Sequence, residues 1–184
     1  MVMSNSSSRA NAIFWTARGS NALLSRISLQ PKTNEVIMTQ SGEKSTKRIQ
    51  LATDLFKAWS SGDADAPEKF FHPEGTLHDV VAGETFDGWT AIRGFFARGL
   101  VPGKELTLIP ERFWASDNGI ALTWIMSSNV LDDTFGEHNK GKRTRVLGMT
   151  SLDFDDNDLV TAEVDYWTRD SVPRSLGVDP TKPA

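Results

Sequence analysis

The spacing of hydrophobic positions changes partway along this chain. Ala52, Leu55, Phe56 and Trp59 recur at i, i+3, i+4 and i+7, the stripe of an amphipathic helix that Gly62 can stop. The stretch "DAPEKFF" offers Asp65 as an N-cap, Pro67 in the first turn and Glu68 at the capping-box position, which predicts a short second helix. Thr76 to Val81 reads as a strand. Gly83 and Gly88 bracket a loop, and Ile92, Phe95 and Phe96 supply a third helical face that runs out near Gly99 and Pro102. From there the period becomes two. Residues 105–114 read as a strand, and in 119–131 Ile120, Leu122, Trp124 and Met126 alternate with Ala121, Thr123, Ile125 and Ser127. Two further strands are predicted at 143–154 and 159–168, after the polar connection "DDTFGEHNKGK" and the turn "DDND". Three helices and then a run of strands predict an α+β class, with the helices gathered on one face of a curved, mostly antiparallel sheet. Such a plan leaves a conical hollow between the layers, where a small molecule can bind.

Composition narrows the picture. The 184 residues are 39% hydrophobic and 24% charged, as in a soluble globular protein. A net charge of -4 and a pI near 5.4 point away from nucleic acid and anionic membrane as partners. With no cysteine there is no disulfide, thiolate nucleophile or cysteine-ligated zinc, which fits a cytoplasmic protein. No apolar run approaches the roughly 20 residues that cross a bilayer. The first 34 residues hold Arg9, Arg18, Arg26 and Lys32, no acid, and many Ser and Asn. That composition fits an organelle-targeting segment, a disordered tail, or upstream sequence ahead of a start at Met38. The expected organisation is therefore an extension over 1–46, one domain over 47–178 and a tail over 179–184.

The stretches "SGDADAPEKFFHPEGTLHDVVAGETFDGWTAIRGFF" and "RVLGMTSLDFDDNDLVTAEVDYWTRDSVPRSLGV" together resemble the NTF2-like superfamily. Within it, they are most similar to the SnoaL-like polyketide cyclases and their relatives, the ketosteroid isomerases and limonene-epoxide hydrolases. The resemblance spans roughly residues 48–178 and implies a cone of three N-terminal helices on a curved sheet that encloses a pocket. It also implies a small-molecule enzyme working by cofactor-free general acid–base catalysis: isomerisation, aldol-type cyclisation or elimination. The alternatives are a non-catalytic ligand-binding or protein-interaction module and an epoxide hydrolase-like enzyme. In the isomerases an acid in this context is the catalytic base, and Asp79, nine residues before Gly88, matches it, with Val80 where a proline is usual. The positions of the isomerase oxyanion-hole residues fall on Leu55 and Thr150. Of the epoxide-hydrolase set, Arg145 and Asp165 match, while the middle acid is Leu147. Relatives of this fold commonly pair through the sheet, so a homodimer is expected.

Asp79 in an apolar hollow would have its charged form disfavoured, which moves a carboxyl toward the range of a general base. His78, its neighbour, points to the opposite face of a regular strand, so only one of the two can face the pocket. The resemblance favours Asp79. Asp165 shares one face of "AEVDYWTR" with Glu163 and Trp167, and is either a second acid or the partner that holds Arg145. Arg145 stays protonated, so it can hold an oxyanion but cannot be the base. Trp89, Phe96, Trp124, Tyr166 and Trp167 are candidate walls for a flat, hydrophobic, aromatic or polycyclic substrate. His72, His78 and His138 lack metal-ligand spacing, and neither a phosphate loop nor a nucleotide fingerprint is present, so neither metal nor cofactor is expected.

Overall fold

The first apolar stripe forms helix α1 (Glu43–Trp59), which buries Ala52, Leu55, Phe56 and Trp59. The computed structural model describes residues 42–181. The proposed N-terminal extension therefore lies outside the described residues, except that 42–46 open α1, and the last three tail residues lie outside as well. Helix α1 begins earlier than its apolar stripe because the buried Arg48 anchors the first turns. Its guanidinium donates to Asp158 Oδ1 at 3.0 Å, to the Asp117 carbonyl at 2.7 Å and to the Asp155 carbonyl at 3.1 Å.

The "DAPEKFF" stretch makes only a single 3-10 turn, Glu68–Phe70. Asp65 does not cap it, because both oxygens of its carboxylate are held by Arg93. Strand β1 (Phe71–Asp79) follows and starts before Thr76, with an irregular register between Phe71 and Thr76. The bracketed loop contains a short strand, β2 (Glu84–Asp87), formed as the chain turns at Gly83 and pairs back on β1. Gly83 has a φ of +68°, a conformation that costs glycine little. Helix α2 (Gly88–Gly99) then buries Ile92 and Phe96.

Strands β3 (Thr107–Ala115), β4 (Gly119–Ser127), β5 (Val146–Phe154) and β6 (Val160–Tyr166) complete the sheet, and a short helix, α3 (Ser171–Ser175), follows them. The strand order is β2-β1-β6-β5-β4-β3, antiparallel except for the parallel pair β1–β6. Pro110 is tolerated because β3 is an edge strand. The expected α+β plan holds: helices pack on an open, curled, six-stranded mixed sheet of the NTF2-like type. The core lies between α1, α2 and the inner sheet face, where Leu77, Ile92, Leu122 and Leu152 are fully buried.

Candidate active site

Registers across the sheet decide which side chains meet. Leu122 on β4 is opposite Thr150 on β5, Thr150 opposite Asp165 on β6, and Asp165 opposite Asp79 on β1. These four form one transverse row facing inward. One row deeper, Ile120, Leu152, Glu163 and Leu77 are aligned in the same way. The parallel β1–β6 pair thus sets two aspartates side by side and a glutamate between two buried leucines. Asp79, Asp165 and Glu163 all line a cavity of about 640 Å³ between the sheet and the helices, a volume typical of small-molecule sites.

Each aspartate is held by donors. Asp79 Oδ1 accepts the Ala82 backbone N–H at 2.7 Å, and Oδ2 accepts the Trp167 indole N–H at 3.1 Å. The Thr150 hydroxyl donates to Asp165 Oδ1 at 2.5 Å while accepting the Trp124 indole N–H at 2.7 Å, which fixes the direction of that relay. Gly148 is the cross-strand neighbour of Trp124, and a Cβ there would land on the indole ring. A glycine at this point lets Trp124 lie flat across β5 and reach Thr150.

Burial dominates the electrostatics. Asp165 retains some exposed surface, but it lines the cavity and its carboxyl is shielded from bulk water. Burial, opposed by the Thr150 hydrogen bond and reinforced by the charge of Asp79, pushes its pKa up to about 7. Glu163 is 2% exposed, and burial together with the Asp165 charge raises its pKa well above the usual carboxylate range.

Among the residues expected at the site, Asp79, Asp165, Phe96, Trp124 and Trp167 line the cavity. The other four are placed elsewhere. His78 alternates to the opposite face of β1, where its Nδ1 meets Thr85 Oγ1 at 2.9 Å across the β1–β2 pair. Arg145 is exposed on the outer face that also carries Leu147 and Met149, because Thr144, Val146 and Thr150 take the inward parity of this segment. The epoxide-hydrolase positions 145 and 147 therefore look away from the pocket, and Arg145 makes no ion pair with Asp165 among the described residues. Tyr166 lies on the outer face at 49% exposure, since Asp165 holds the inward position beside it. Trp89 packs behind the cavity against Phe71 and Trp59. Of the two matched oxyanion positions, Leu55 is core, and Thr150 spends its hydroxyl on Asp165.

Sequence reasoning left out Glu163, Trp59 and the segment from Ser128 to Phe135, parts of which line the cavity. The parity shared by residues 163, 165 and 167 was the available signal for Glu163. Trp59 was indistinguishable from the rest of its apolar stripe. Among the described residues no cluster of His, Asp or Glu is arranged to hold a metal ion, and no helix is long and apolar enough to cross a membrane.

Comparison with solved structures extends the fold assignment. A candidate SnoaL-like polyketide cyclase from Shewanella denitrificans superposes with a TM-score of 0.60 at 21% identity, covering 71% of this chain and 97% of the other. A protein with a ketosteroid isomerase-like fold from Catenulispora acidiphila gives 0.61 at 19% identity, over 70% and 93%. AclR, a candidate hydroxylase from Streptomyces galilaeus, gives 0.60 at 18% identity, over 76% and 90%. At these identities the likeness concerns the fold alone. A search of curated protein sequences found no significant match. The family model for the SnoaL-like domain matches residues 52–163, more than half of the sequence. This chain belongs to the SnoaL-like domain family.

Proposed function

We propose that the protein is a cofactor-free enzyme that moves a proton next to a carbonyl or leaving group of a hydrophobic substrate, with Asp165 as the proton acceptor and Asp79 as its partner. One observation carries this reading: two aspartates are held in register at the wall of an apolar cavity, and one of them is poised near neutrality. A base whose pKa lies near the working pH is both available and strong enough to act. Asp79 suits the supporting role because both of its oxygens are committed to N–H donors, while its charge keeps the affinity of Asp165 for a proton high. Among the described residues Asp165 has only the Thr150 hydroxyl to hold it, which leaves Oδ2 for the substrate.

The aromatic walls, Phe96, Trp124 and Trp167, suit a flat ring system, and the family and its structural neighbours are associated with cyclase and isomerase chemistry. A purely ligand-binding module would be expected to line such a cavity almost wholly with apolar groups. The carboxyl groups of Asp79, Glu163 and Asp165, gathered on the sheet side of the wall, favour the enzyme.

Proton abstraction can be followed without knowing the natural substrate, as deuterium uptake at the α-carbon of 1-tetralone in heavy water. Asp165→Asn should slow catalysed uptake by about 10²- to 10⁴-fold, the usual weight of a general base. His78→Gln, on the far face of the strand, should leave it unchanged. The wild-type rate should rise with pH and level off above about 7, as Asp165 gives up its proton. If the Asn variant matched the wild type, the assignment would fail.

A further inference from the structure

The chain between β4 and β5 is folded on itself. The Val130 N–H donates to the Lys142 carbonyl at 2.9 Å and the Gly141 N–H to the Val130 carbonyl at 2.8 Å, which ties the two ends of the 131–141 loop together. Within it Asn139 is fully buried, although loop residues usually lie on the surface. Its side-chain amide donates to the Phe135 carbonyl at 2.7 Å, and its Oδ1 accepts the Lys142 ammonium at 2.9 Å. Its backbone N–H donates to the Gly136 carbonyl at 2.9 Å. A buried amide matched in this way rigidifies what it touches. Here it closes on the backbone of Phe135, and Phe135 lines the cavity.

Phe135 differs from the other aromatic walls. Trp59, Phe95 and Phe96 spend ring contacts on one another, and Trp124 lies buried across Gly148. Among the described residues the Phe135 ring meets no other aromatic ring, and it is only partly buried. Beside it Asp132 accepts the Thr134 backbone N–H at 3.0 Å, so polar groups of this stretch answer one another. The loop is also remote from the two aspartates. It leaves the sheet after Ser127, five residues beyond Leu122, which shares the transverse row of Asp165 and Asp79. At the usual rise that is about 17 Å along β4. A ligand that gives up a proton at Asp165 therefore meets Phe135 only through a part far from the reacting carbon.

We propose that Phe135 receives a remote ring of an elongated ligand and that Asn139 is the positioning residue that holds it there. The loop then selects flat ketones extended away from the reacting carbon over short ones. This rests on the proton-transfer reading only for the end of the ligand that faces Asp165. Apolar contact alone is asked of the loop: the added ring leaves water and packs on a ring already held in place.

Calorimetric titration of the full chain compares 1-tetralone with 6-phenyl-1-tetralone, which share the reacting end and differ by one ring on the long axis. The wild type should bind the phenyl ketone about tenfold more tightly, as burial of most of one ring implies. Phe135→Ala should cut that ratio about fivefold. Asn139→Asp keeps the acceptor for Lys142 but loses the donor to Phe135, and should cut the ratio several-fold. The double variant should lose no more than Phe135→Ala alone, because residues that act through one another are not additive. A general loss of stability would lower the melting temperature without moving the ratio, and His78→Gln should leave it unchanged. Lys142→Met loosens the same amide from an exposed position and should lower the ratio in the same direction, whether or not Asn139→Asp folds. In the uptake assay Asn139→Asp should raise KM for the phenyl ketone far more than it lowers kcat, the mark of binding remote from the chemistry. A wild type without the preference, or a Phe135→Ala variant that keeps it, would overturn the proposal. Effects of Asn139→Asp and Phe135→Ala that add in full would overturn the positioning role. Binding is read at equilibrium, so a Phe135-dependent preference without deuterium uptake would sink the catalytic reading alone, and uptake without that preference would sink this one alone.

Discussion

Asp165 and Glu163 show how single residues set both the chemistry and its energetic cost. Each carboxyl is held in a place that disfavours its charged form. An acid whose pKa is raised on folding binds more protons in the native state than in the unfolded one, so stability falls as pH rises between the two values. For Asp165 that window runs from about 4, the usual aspartate value, to about 7. Its stabilising contribution is complete below the window and lost above it. Asp165→Asn should therefore unfold at higher temperature or denaturant than the wild type at pH 8, by on the order of 2–4 kcal/mol. The advantage should vanish at pH 4, where the wild-type carboxyl is protonated and resembles the amide. Denaturant unfolding at the two pH values checks this, and an equal difference at both would contradict the raised pKa. A variant at once more stable and less active would mark Asp165 as a residue kept for function.

Among the elements, α1 depends on one side chain for its position over the sheet. Arg48 donates to the β3–β4 turn through Asp117 and to the β5–β6 turn through Asp155 and Asp158, while its guanidinium lies over the Phe154 ring. It joins the helix to both hairpins. Lys47 also reaches Asp158, and these two cations hold the Asp158 carboxyl below its usual range. Removing Arg48 would leave two carbonyls and a carboxylate short of a charged donor. Arg48→Met keeps much of the volume and should still cost about 2–4 kcal/mol in a denaturant titration. A loss under 1 kcal/mol would show that the helix is held by its apolar face alone. The parallel β1–β6 pairing matters at this scale too, because it aligns Asp79 with Asp165, and a shift of one residue would turn either aspartate to the outer face.

Over the whole molecule, the outer sheet face carries what the inner face does not use. Ile109 and Leu147 are each 56% exposed and flank Ile125 in one cross-strand row, and Thr123, Met149 and Tyr166 form the next. A contiguous apolar patch of this kind is uncommon on a monomer. The expected homodimer would cover it. Sedimentation at micromolar concentration should give a dimer mass, and Leu147→Lys should give a monomer that retains deuterium uptake, since residue 147 is exposed and faces away from the cavity. A monomeric wild type would count against pairing through this face.

What the sequence by itself determined was the local plan. Apolar spacing marks α1, α2 and the four later strands, because periods of 3.6 and 2 follow from backbone geometry and need no knowledge of neighbours. Alternation also separated His78 from Asp79, and placed Glu163, Asp165 and Trp167 on one face. The short β2 escaped this reading because its four residues have no pattern of their own and become a strand only by pairing with β1. Arg145 was drawn to the site by a motif match, yet strand parity puts it outside. Only the tertiary structure decided that β1 lies parallel to β6, that Thr150 supports Asp165, and that Glu163 is buried beside Asp165. Those facts depend on register between segments nearly a hundred residues apart, and on burial that no single segment creates. The raised pKa values that carry the proposed chemistry arise from that burial and from the proximity of the carboxyl groups, so they first exist in the folded chain.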